Sequence, residues 1–288
     1  MPEQVFSPPR TRNNQQISGA QSAKDSLPLG NKSAHTARQT HAAAVFIRGL
    51  GDQRDEGLNP TAGLDESKRL LHLIARSEDA VSILRIYRPA PTVAFSRREE
   101  RLPGFAEAAA EARAFGYVPV IRPAGGRMVA LDTDWVVIDH IAPVKDRSRS
   151  HREVYLEYGD ILARVLREFG VDARVGSVPG EYCPGDYSVN ARAAVKIVGT
   201  AQRVSRGARL FSASIPLKIS TDARTLFDRV NSLLELDWDR NTLGSLAEEA
   251  PALTFEQLES ALCAPFGVDP TNETTLAAVY AAHTPPAV

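Results

Sequence analysis

The sequence predicts an α+β fold in which mixed, largely antiparallel β-sheets are flanked by helices. Two observations lead to this prediction. Segments rich in β-branched residues come in runs with short turns between them, and the helical segments do not alternate regularly with single strands. Regular alternation would indicate a doubly wound parallel sheet, whereas runs of strands separated by helices are typical of α+β proteins.

The predicted elements follow one another from residue 64 onward. The first helix begins with acidic side chains, which suits the helix dipole, and the second ends at Gly116, a residue type common just after a helix. In chain order the elements are a helix over 64–76, strands over 81–88 and 91–96, a helix over 105–116, a strand over 117–121, and a hairpin over 127–141 that turns near Asp132–Asp134.

The second half opens with the clearest helix, over 151–170, where apolar side chains recur at helical spacing before Gly170. Two later helix starts carry typical capping residues, namely Ser220 and the pair Thr254 and Gln257. The remaining predicted elements are strands over about 186–190, 195–205 and 210–217 and helices over 220–236, 254–267 and 272–283.

The 288-residue chain is predicted to divide into three parts. Residues 1–41 are rich in Ser, Gln, Asn and Ala and bury too little apolar surface to offset the entropy of ordering, so we expect a disordered tail. Nothing in this tail indicates a secretory signal, and its weak basic charge leaves a transit peptide as the alternative. A folded domain is predicted over 42–236, followed by a short helical extension over 237–288.

Composition argues against several classes of function. Lys and Arg number 34 and Asp and Glu 35, for a net charge of −1, so binding of nucleic acid through bulk charge is not expected. The two cysteines, Cys183 and Cys263, form no CxxC pair, so we expect no disulfide framework and no zinc site, and a reducing cytoplasm fits. No apolar run approaches the roughly 20 residues of a membrane-spanning helix. We therefore expect no membrane partner, no metal and no cofactor.

A glycine pair marks the first candidate site, in the segment IRPAGGRMVAL. Gly125 and Gly126 permit positive φ and close approach of the backbone to a ligand, and Arg122 and Arg127 flank them. These arginines are suited to a carboxylate, a phosphate or the phosphopantetheine of a carrier. The alternative is a tight turn whose arginines are solvated.

A lysine inside an apolar strand marks the second candidate site. In the segment VKIVGTAQRV, simple alternation places Lys196, Thr200 and Gln202 on one face and Gly199 on the other, where it leaves room for close approach. The alternative is that Lys196 faces water on an edge strand and guards it against aggregation.

The third candidate site is Cys183 in the Pro-Gly loop EYCPGDY, with Asp186 close by. A cysteine nucleophile needs activation, and a nearby ammonium favours its thiolate form. Lys196 lies 13 positions further on, across one hairpin, so the two side chains can meet. No histidine is close in sequence, although His140 or His151 can approach through folding.

Four segments in this order resemble the lipoate–protein ligase and octanoyltransferase family, which shares its catalytic fold with biotin protein ligases. LDESKRLLHLI is similar to the first helix of the family, and RIYRPAPTVAFSRRE is similar to its strand pair around Pro-Thr-Val. RPAGGRMVALD resembles the glycine-rich substrate loop, and VKIVGTAQR resembles the lysine strand, with Lys196 at the family lysine. The resemblance covers roughly residues 60 to 235 and implies that 42–236 is a catalytic domain of this type.

The segment CPGDYSVN is most similar to a cysteine-dependent branch, the amidotransferases that move octanoyl from the glycine cleavage H protein to other lipoyl domains. The resemblance implies transfer of octanoyl or lipoyl from a carrier-protein thioester through an acyl-Cys183 intermediate, with Lys196 stabilising the oxyanion. The donor is the H protein or an acyl carrier protein, and the acceptors are apo lipoyl domains of 2-oxoacid dehydrogenases. The residues expected to bind substrate are Arg122, Ala124, Gly125, Gly126, Arg127, Asp186, Gly199, Thr200 and Gln202.

Two departures from the ligase pattern weaken the alternative of an ATP-dependent lipoate–protein ligase that works through lipoyl-adenylate. The loop reads Gly-Gly-Arg where many ligases have three glycines, and VALDTDW replaces a continuation that usually contains histidine. In a third departure, FSASIPL replaces a His-Gly-Thr-like strand, and its small residues Ser212 to Ser214 are predicted to line an acyl tunnel. A non-catalytic carrier-binding paralogue, which needs neither Cys183 nor Lys196, is the remaining alternative.

Overall fold

Ten strands form two β-sheets in the part of the chain that the structure, a computed structural model, describes: residues 45–49, 62–122, 124–144 and 149–283. The strands are β1 (Val45–Gly49), β2 (Ile83–Tyr87), β3 (Thr92–Phe95), β4 (Val118–Ile121), β5 (Val129–Leu131), β6 (Trp135–Pro143), β7 (Ala173–Val175), β8 (Val189–Ala191), β9 (Val195–Ser205) and β10 (Ala208–Pro216). The large sheet has the order β1-β2-β6-β10-β9-β8-β7, and the small sheet has the order β4-β3-β5.

Strand pairing confirms the predicted fold class. Two of the pairs are parallel, β1 with β2 and β3 with β4, and the remaining pairs in the described sheets are antiparallel. The helices that flank the sheets are α1 (Ala62–Ile74), α2 (Phe105–Ala114), α3 (His151–Glu168), α4 (Thr221–Leu233), α5 (Leu246–Glu249), α6 (Phe255–Cys263) and α7 (Leu276–His283).

The predicted hairpin over 127–141 is wrong, although both of its strands exist. The chain does turn where the Trp135 N–H donates to the Asp132 carbonyl, at 3.0 Å. However, β5 pairs with β3 in the small sheet, whereas β6 pairs with β2 and β10 in the large sheet. The reason is that β6 is buried on both faces from Trp135 to Ile141, so it needs a strand on each edge and packing above and below.

Alternating side chains of the large sheet separate two packing layers. On one face Val136 and Ile138 of β6 pack in a cluster with α3 and α6. On the other face Val137 joins a cluster that includes the small sheet, α2 and α4, while Ile141 packs with α1. Successive residues of a strand point to opposite faces of the sheet. Val137 and Asp139 of β6 therefore share the second face, and both line a pocket between the two sheets.

The capping residues in the sequence predicted the first residues of α4 and α6 correctly. The Ser220 hydroxyl accepts the N–H of Ala223, and Thr254 and Gln257 form the predicted reciprocal capping box. The prediction missed the short strands β1 and β7. Each is too short to show the alternation that identifies a strand from sequence alone.

The predicted tail over 1–41 lies outside the described residues. Beyond residue 236, α6 packs against α3 in the same core as the large sheet, and α7 lies against α1. None of the described helices is long and apolar enough to cross a membrane.

Candidate active site

A pocket opens between the two sheets on the face of the large sheet that points away from α3. Its floor consists of β6, β10 and β9, and residues of β3, β5 and α1 also line it; with its open mouth it measures about 740 Å³. Seven of the predicted site residues line it, namely Cys183, Lys196, Arg122, Ala124, Arg127, Gly199 and Thr200. Ser212 and Ser214, which the sequence predicted to line an acyl tunnel, line it as well, whereas Ala213 packs in the core on the other face of the sheet.

Cys183 lies half-buried in the loop between β7 and β8 and meets the glycine loop directly. Its Sγ accepts the backbone N–H of Arg127 at 3.1 Å. Gly126 has a φ of +96°, and a Cβ there would lie 3.0 Å from the Cys183 sulfur and 2.7 Å from Nη2 of Arg122. A glycine is therefore required for this approach, and the loop supplies a backbone donor to the sulfur.

The two arginines of the loop bind backbone carbonyls, Arg122 in a partly buried hydrogen bond and Arg127 in an exposed one, so the alternative of solvated arginines is wrong for Arg122. Arg122 Nη2 donates to the carbonyl of Arg127 at 2.6 Å, and Arg127 Nη1 donates to the carbonyl of Asp237 at 2.8 Å. The buried Nε of Arg122 has no hydrogen-bond partner in the described part of the chain. Because carbonyls are neutral, both guanidinium charges remain available to an anionic ligand.

Lys196 is buried, with 3% of its surface exposed, and β9 lies between β8 and β10. The edge-strand alternative is therefore wrong. The Nζ atom donates to the carbonyl oxygen of Cys183 at 2.6 Å and to Oε1 of Glu181 at 3.1 Å, and it lies 4.9 Å from the centre of the Tyr182 ring. An ammonium has three donors, so one is left for a ligand in the pocket.

Glu181 is a buried residue beside Cys183 that sequence reasoning missed. It is fully buried, and its carboxylate accepts the N–H groups of Val178 and Gly185 and the hydroxyl of Ser188 in addition to the Lys196 ammonium. It therefore ties both ends of the Cys183 loop to the strand that carries Lys196. The available signal was a carboxylate two residues before the cysteine, because a buried lysine needs an acidic partner.

The predicted alternation along β9 is wrong at one point. The register with β8 shifts at Ile197, which marks a β-bulge, and Ile197 and Val198 both pack in the α3 cluster. The extra residue moves Gly199 onto the same face as Lys196. A Cβ at Gly199 would lie 3.8 Å from Cε of Lys196 and 3.2 Å from the Ser214 hydroxyl, so this glycine leaves space within the pocket itself.

Three predicted binding residues have other contacts or positions. The Thr200 hydroxyl donates to the Tyr187 carbonyl at 3.2 Å, although the residue lines the pocket. Gln202 does not line it, since its Nε2 donates to the His151 carbonyl at 2.8 Å. Asp186 is exposed and lies outside the pocket lining.

The structure brings no histidine to the lining of this pocket among the described residues. His140 lies on the opposite face of β6, where its ring packs against Tyr158 and Phe266. Nor does the described part of the chain hold a group of three or more His, Cys, Asp or Glu side chains placed to bind a metal ion. Among the described residues, the Cys183 sulfur therefore meets the backbone N–H of Arg127 rather than an imidazole.

A second cavity adjoins the pocket at Cys183 and measures about 1240 Å³ with its mouth. Both glycines of the loop line it, and it shares Arg122 and Arg127 with the pocket. Arg97 and Arg98 add two exposed guanidinium groups. The one carboxylate in its lining, Glu99, is buried and accepts the N–H groups of Ser96 and Met128. The cavity is therefore suited to an anionic ligand.

A buried polar cluster lines the pocket away from Cys183. Ser67 of α1 donates to the carboxyl of Asp139, and Nη1 of Arg85 lies 3.5 Å from the same carboxyl. Burial raises the pKa of Asp139 above its usual range, against the opposing effect of Arg85. Sequence analysis missed this cluster, because Asp139 stands in an apolar run that reads as an ordinary buried strand.

Residues 60–267, which are most of the chain, match the sequence pattern of the lipoyl protein ligase A/B catalytic domain family. The chain belongs to the lipoyl protein ligase A/B catalytic domain family. The resemblance noted in the sequence is thereby confirmed, and the family match includes the pocket, the glycine loop, Cys183 and Lys196.

Curated relatives of this family member are octanoyl-[GcvH]:protein N-octanoyltransferases. The protein of Geobacillus kaustophilus is 31% identical over 116 residues, which cover 40% of this chain and 41% of that one. The protein of an Exiguobacterium species is 28% identical over 154 residues, which cover 53% and 54%. The chain thus spans about half the length of the curated relatives it matches.

Among solved structures, a crystal structure of lipoate-protein ligase A bound with ATP is similar, with a TM-score of 0.60 and 17% identity. The similarity covers 78% of this chain and 84% of that one. At this level of identity the comparison establishes the α+β fold of the family.

Proposed function

We propose that the chain is a cysteine-dependent acyltransferase that moves octanoyl or lipoyl from a carrier protein to the lysine of a lipoyl domain. The observation that carries the proposal is the position of the Cys183 sulfur. It lines a largely apolar pocket, accepts the Arg127 N–H, and lies on a loop whose carbonyl binds the Lys196 ammonium.

In the first step the Cys183 sulfur attacks the acyl carbonyl of the donor. A carbon–sulfur bond forms, the bond from the carbonyl to the donor breaks, and the leaving group of the donor takes up a proton. The free donor of Lys196 stabilises the negative charge that develops on the carbonyl oxygen. When the donor is a thioester, one thioester replaces another, so the step needs no nucleotide.

In the second step the amine of the acceptor lysine attacks the acyl-Cys183 thioester. An amide bond forms, the carbon–sulfur bond breaks, and the departing Cys183 thiolate takes up the proton that the amine loses. An amide is more stable than a thioester, so this step drives the transfer forward. The acyl chain contributes binding energy in both steps, at about 0.8 kcal/mol for each CH₂ group that is buried.

The proposed donor is the glycine cleavage H protein or an acyl carrier protein, and the proposed acceptors are apo lipoyl domains of 2-oxoacid dehydrogenases. The names of the curated relatives support an H protein that carries octanoyl. The arginine-lined cavity beside Cys183 supports a carrier that is acidic or presents a phosphate.

A transfer assay tests the proposal. Octanoylated H protein and octanoyl acyl carrier protein are each mixed with an apo lipoyl domain and the enzyme, without nucleotide and without Mg²⁺, and the mass of the acceptor is followed. We expect the acceptor to gain one octanoyl group from at least one donor, with ping-pong kinetics. No mass gain from either donor would contradict the proposal.

The arginine-lined cavity also favours a second candidate, an ATP-dependent lipoate–protein ligase. Four guanidinium groups from Arg97, Arg98, Arg122 and Arg127 beside the pocket suit the phosphates of a nucleotide or the phosphate of an acyl-adenylate. In that case Cys183 has no covalent role. The same assay, run with free lipoate or octanoate and MgATP, separates the transferase from the ligase. Acylated acceptor formed only from the free acid and MgATP, and not from either carrier, supports the ligase.

A further inference from the structure

Tyr182 directly precedes Cys183 and lines the same pocket. The residue is buried, and its hydroxyl takes part in none of the hydrogen bonds between described residues. A buried hydroxyl without a partner is unfavourable, because it has given up its hydrogen bonds to water. This hydroxyl is therefore suited to bind a polar atom of a ligand that enters the pocket.

Two contacts hold the Tyr182 ring in one orientation. The ring of Phe227 meets it edge-on, with 5.0 Å between the ring centres and 67° between the ring planes. On the pocket side the Lys196 Nζ atom lies 4.9 Å from the ring centre. A donor held in place in this way needs no rearrangement when charge develops beside it.

The absence of a side chain at Gly199 leaves a small space in the pocket wall. A Cβ there would lie 3.3 Å from the Tyr182 hydroxyl oxygen, 3.2 Å from the Ser214 hydroxyl oxygen and 3.8 Å from Cε of Lys196. The backbone of Gly199 does not have a positive φ, so its conformation does not require glycine. The glycine instead keeps open a space that three polar side chains surround.

The Tyr182 hydroxyl keeps its proton at neutral pH. Burial and the neighbouring Cys183 sulfur raise the pKa of Tyr182 well above its usual range, against the opposing effect of Arg122. The hydroxyl is therefore a hydrogen-bond donor in this pocket and not a base.

We propose that Tyr182 is a catalytic residue whose hydroxyl donates a hydrogen bond to the acyl carbonyl oxygen in the space beside Gly199. The inference rests on the proposed acyl transfer. It adds a second side-chain donor to Lys196, whose ammonium already donates to the Cys183 carbonyl and to Glu181 and so has one donor left.

The same donor serves both steps of the transfer, because both steps occur at one carbonyl carbon. Attack by the Cys183 sulfur, and later by the acceptor amine, moves the π electrons of the carbonyl onto its oxygen. The oxyanion accepts one hydrogen bond from the Tyr182 hydroxyl and one from the Lys196 ammonium. No proton leaves Tyr182, and the carbonyl forms again when the leaving group departs.

The variant Tyr182→Phe tests the assignment, since it keeps the ring and its packing and removes only the hydroxyl. Acylation of Cys183 by an octanoylated carrier protein is followed by intact mass in a single turnover, and release of octanoyl to an apo lipoyl domain is followed separately. We expect both steps to slow by about 10², a typical cost of removing one oxyanion donor, while the melting temperature changes little. A wild-type rate in either step would overturn the assignment.

The matched control is Tyr187→Phe, which removes a hydroxyl from the same loop but outside the pocket lining. It should keep the wild-type rate in both steps. A control that slows as much as Tyr182→Phe would show that the loss reflects a disturbed loop, which contradicts the proposed role.

A second variant locates the oxyanion. Gly199→Ala fills the space beside the Tyr182 hydroxyl and should also slow both steps. Its effect should not add to that of Tyr182→Phe, because each change removes the same interaction. Fully additive losses would place the oxyanion elsewhere and overturn the inference. If Gly199→Ala fails to fold, the rates of Tyr182→Phe still decide.

The pattern of results separates this inference from the proposed reaction. If the wild type is acylated on Cys183 and Tyr182→Phe is acylated equally fast, the role of Tyr182 is wrong and the proposed transfer stands. If no carrier acylates the wild type, the proposed transfer is wrong, and the role of Tyr182 in it is wrong as well.

Discussion

The Lys196 ammonium lies 2.6 Å from the carbonyl oxygen of Cys183 and binds the backbone of that residue, while the sulfur takes its hydrogen bond from the Arg127 N–H at 3.1 Å. The lysine thus holds the cysteine loop in place and brings positive charge to the pocket, and the glycine loop holds the sulfur. Two separate elements, β9 and the glycine loop, therefore position the one cysteine of the pocket.

Replacing Lys196 should reduce both stability and rate. Lys196→Met leaves the buried Glu181 carboxylate without its cation, which typically costs about 3–5 kcal/mol of folding free energy. It also removes the proposed oxyanion donor, and loss of one such donor typically costs about 10²–10³ in rate. Melting temperature and single-turnover acyl transfer measure the two effects.

The double variant Glu181→Gln with Lys196→Met separates the two effects. It removes both charges together, so much of the lost melting temperature should return while the rate stays low. If the rate returns together with the stability, Lys196 has only a structural role.

The close approach of Gly126 to Cys183 predicts a specific sensitivity. In Gly126→Ala the new Cβ would lie 3.0 Å from the sulfur, so the loop must shift and the rate should fall by about 10², a typical cost of misplacing a reacting group by about 1 Å. The matched control is Gly116→Ala, which also has a positive φ, of +81°, but has no atom within 4 Å of its Cβ direction.

Both alanine variants should lose stability, because each places a side chain in the left-handed region, and Gly126→Ala should lose more because its methyl group also meets Arg122 and Cys183. Only Gly126→Ala should lose transfer activity. Equal rates for the two variants would show that the glycine loop does not position Cys183.

The two cysteines should differ sharply in reactivity toward iodoacetamide. Burial raises the pKa of Cys263 to about 12, so at neutral pH its thiol stays protonated as well as inaccessible. Cys183 faces the pocket. Peptide mapping after brief treatment of the native protein should find the label on Cys183 alone, and octanoate should slow that labelling. Label on Cys263 in the native protein would contradict the packing described for α6.

Local sequence signals were sufficient for most of the fold. Capping residues such as Ser220 and Thr254 gave helix starts that the structure confirms, and the order of four segments gave the family, which the match over 60–267 confirms. The hairpin over 127–141 failed because local sequence shows a turn and two strands but not the sheet to which each strand belongs. That choice depends on distant partners, β3 for one strand and β2 and β10 for the other.

The site was predictable where chemistry requires a particular residue type. A cysteine in a Pro-Gly loop, a lysine in an apolar strand and a glycine pair were recognised, and the structure brings them together. The face of Gly199 was predicted wrongly because a bulge changes the alternation without a visible marker in the sequence. Glu181 and Asp139 were missed because what distinguishes them is burial and contact with a charged partner, Lys196 or Arg85. Burial and these contacts exist only in the folded chain.

The most direct test of the central claim is the mass of the intact protein after incubation with an octanoylated carrier in the absence of ATP. We predict a gain of one octanoyl group, mapped by peptide analysis to Cys183 and released when an apo lipoyl domain is added. Cys183→Ser should not release octanoyl to the acceptor, whereas Cys263→Ala should behave as wild type. An acceptor that becomes octanoylated at the wild-type rate by Cys183→Ser, or only when MgATP and free acid are supplied, would contradict the acyl-enzyme account.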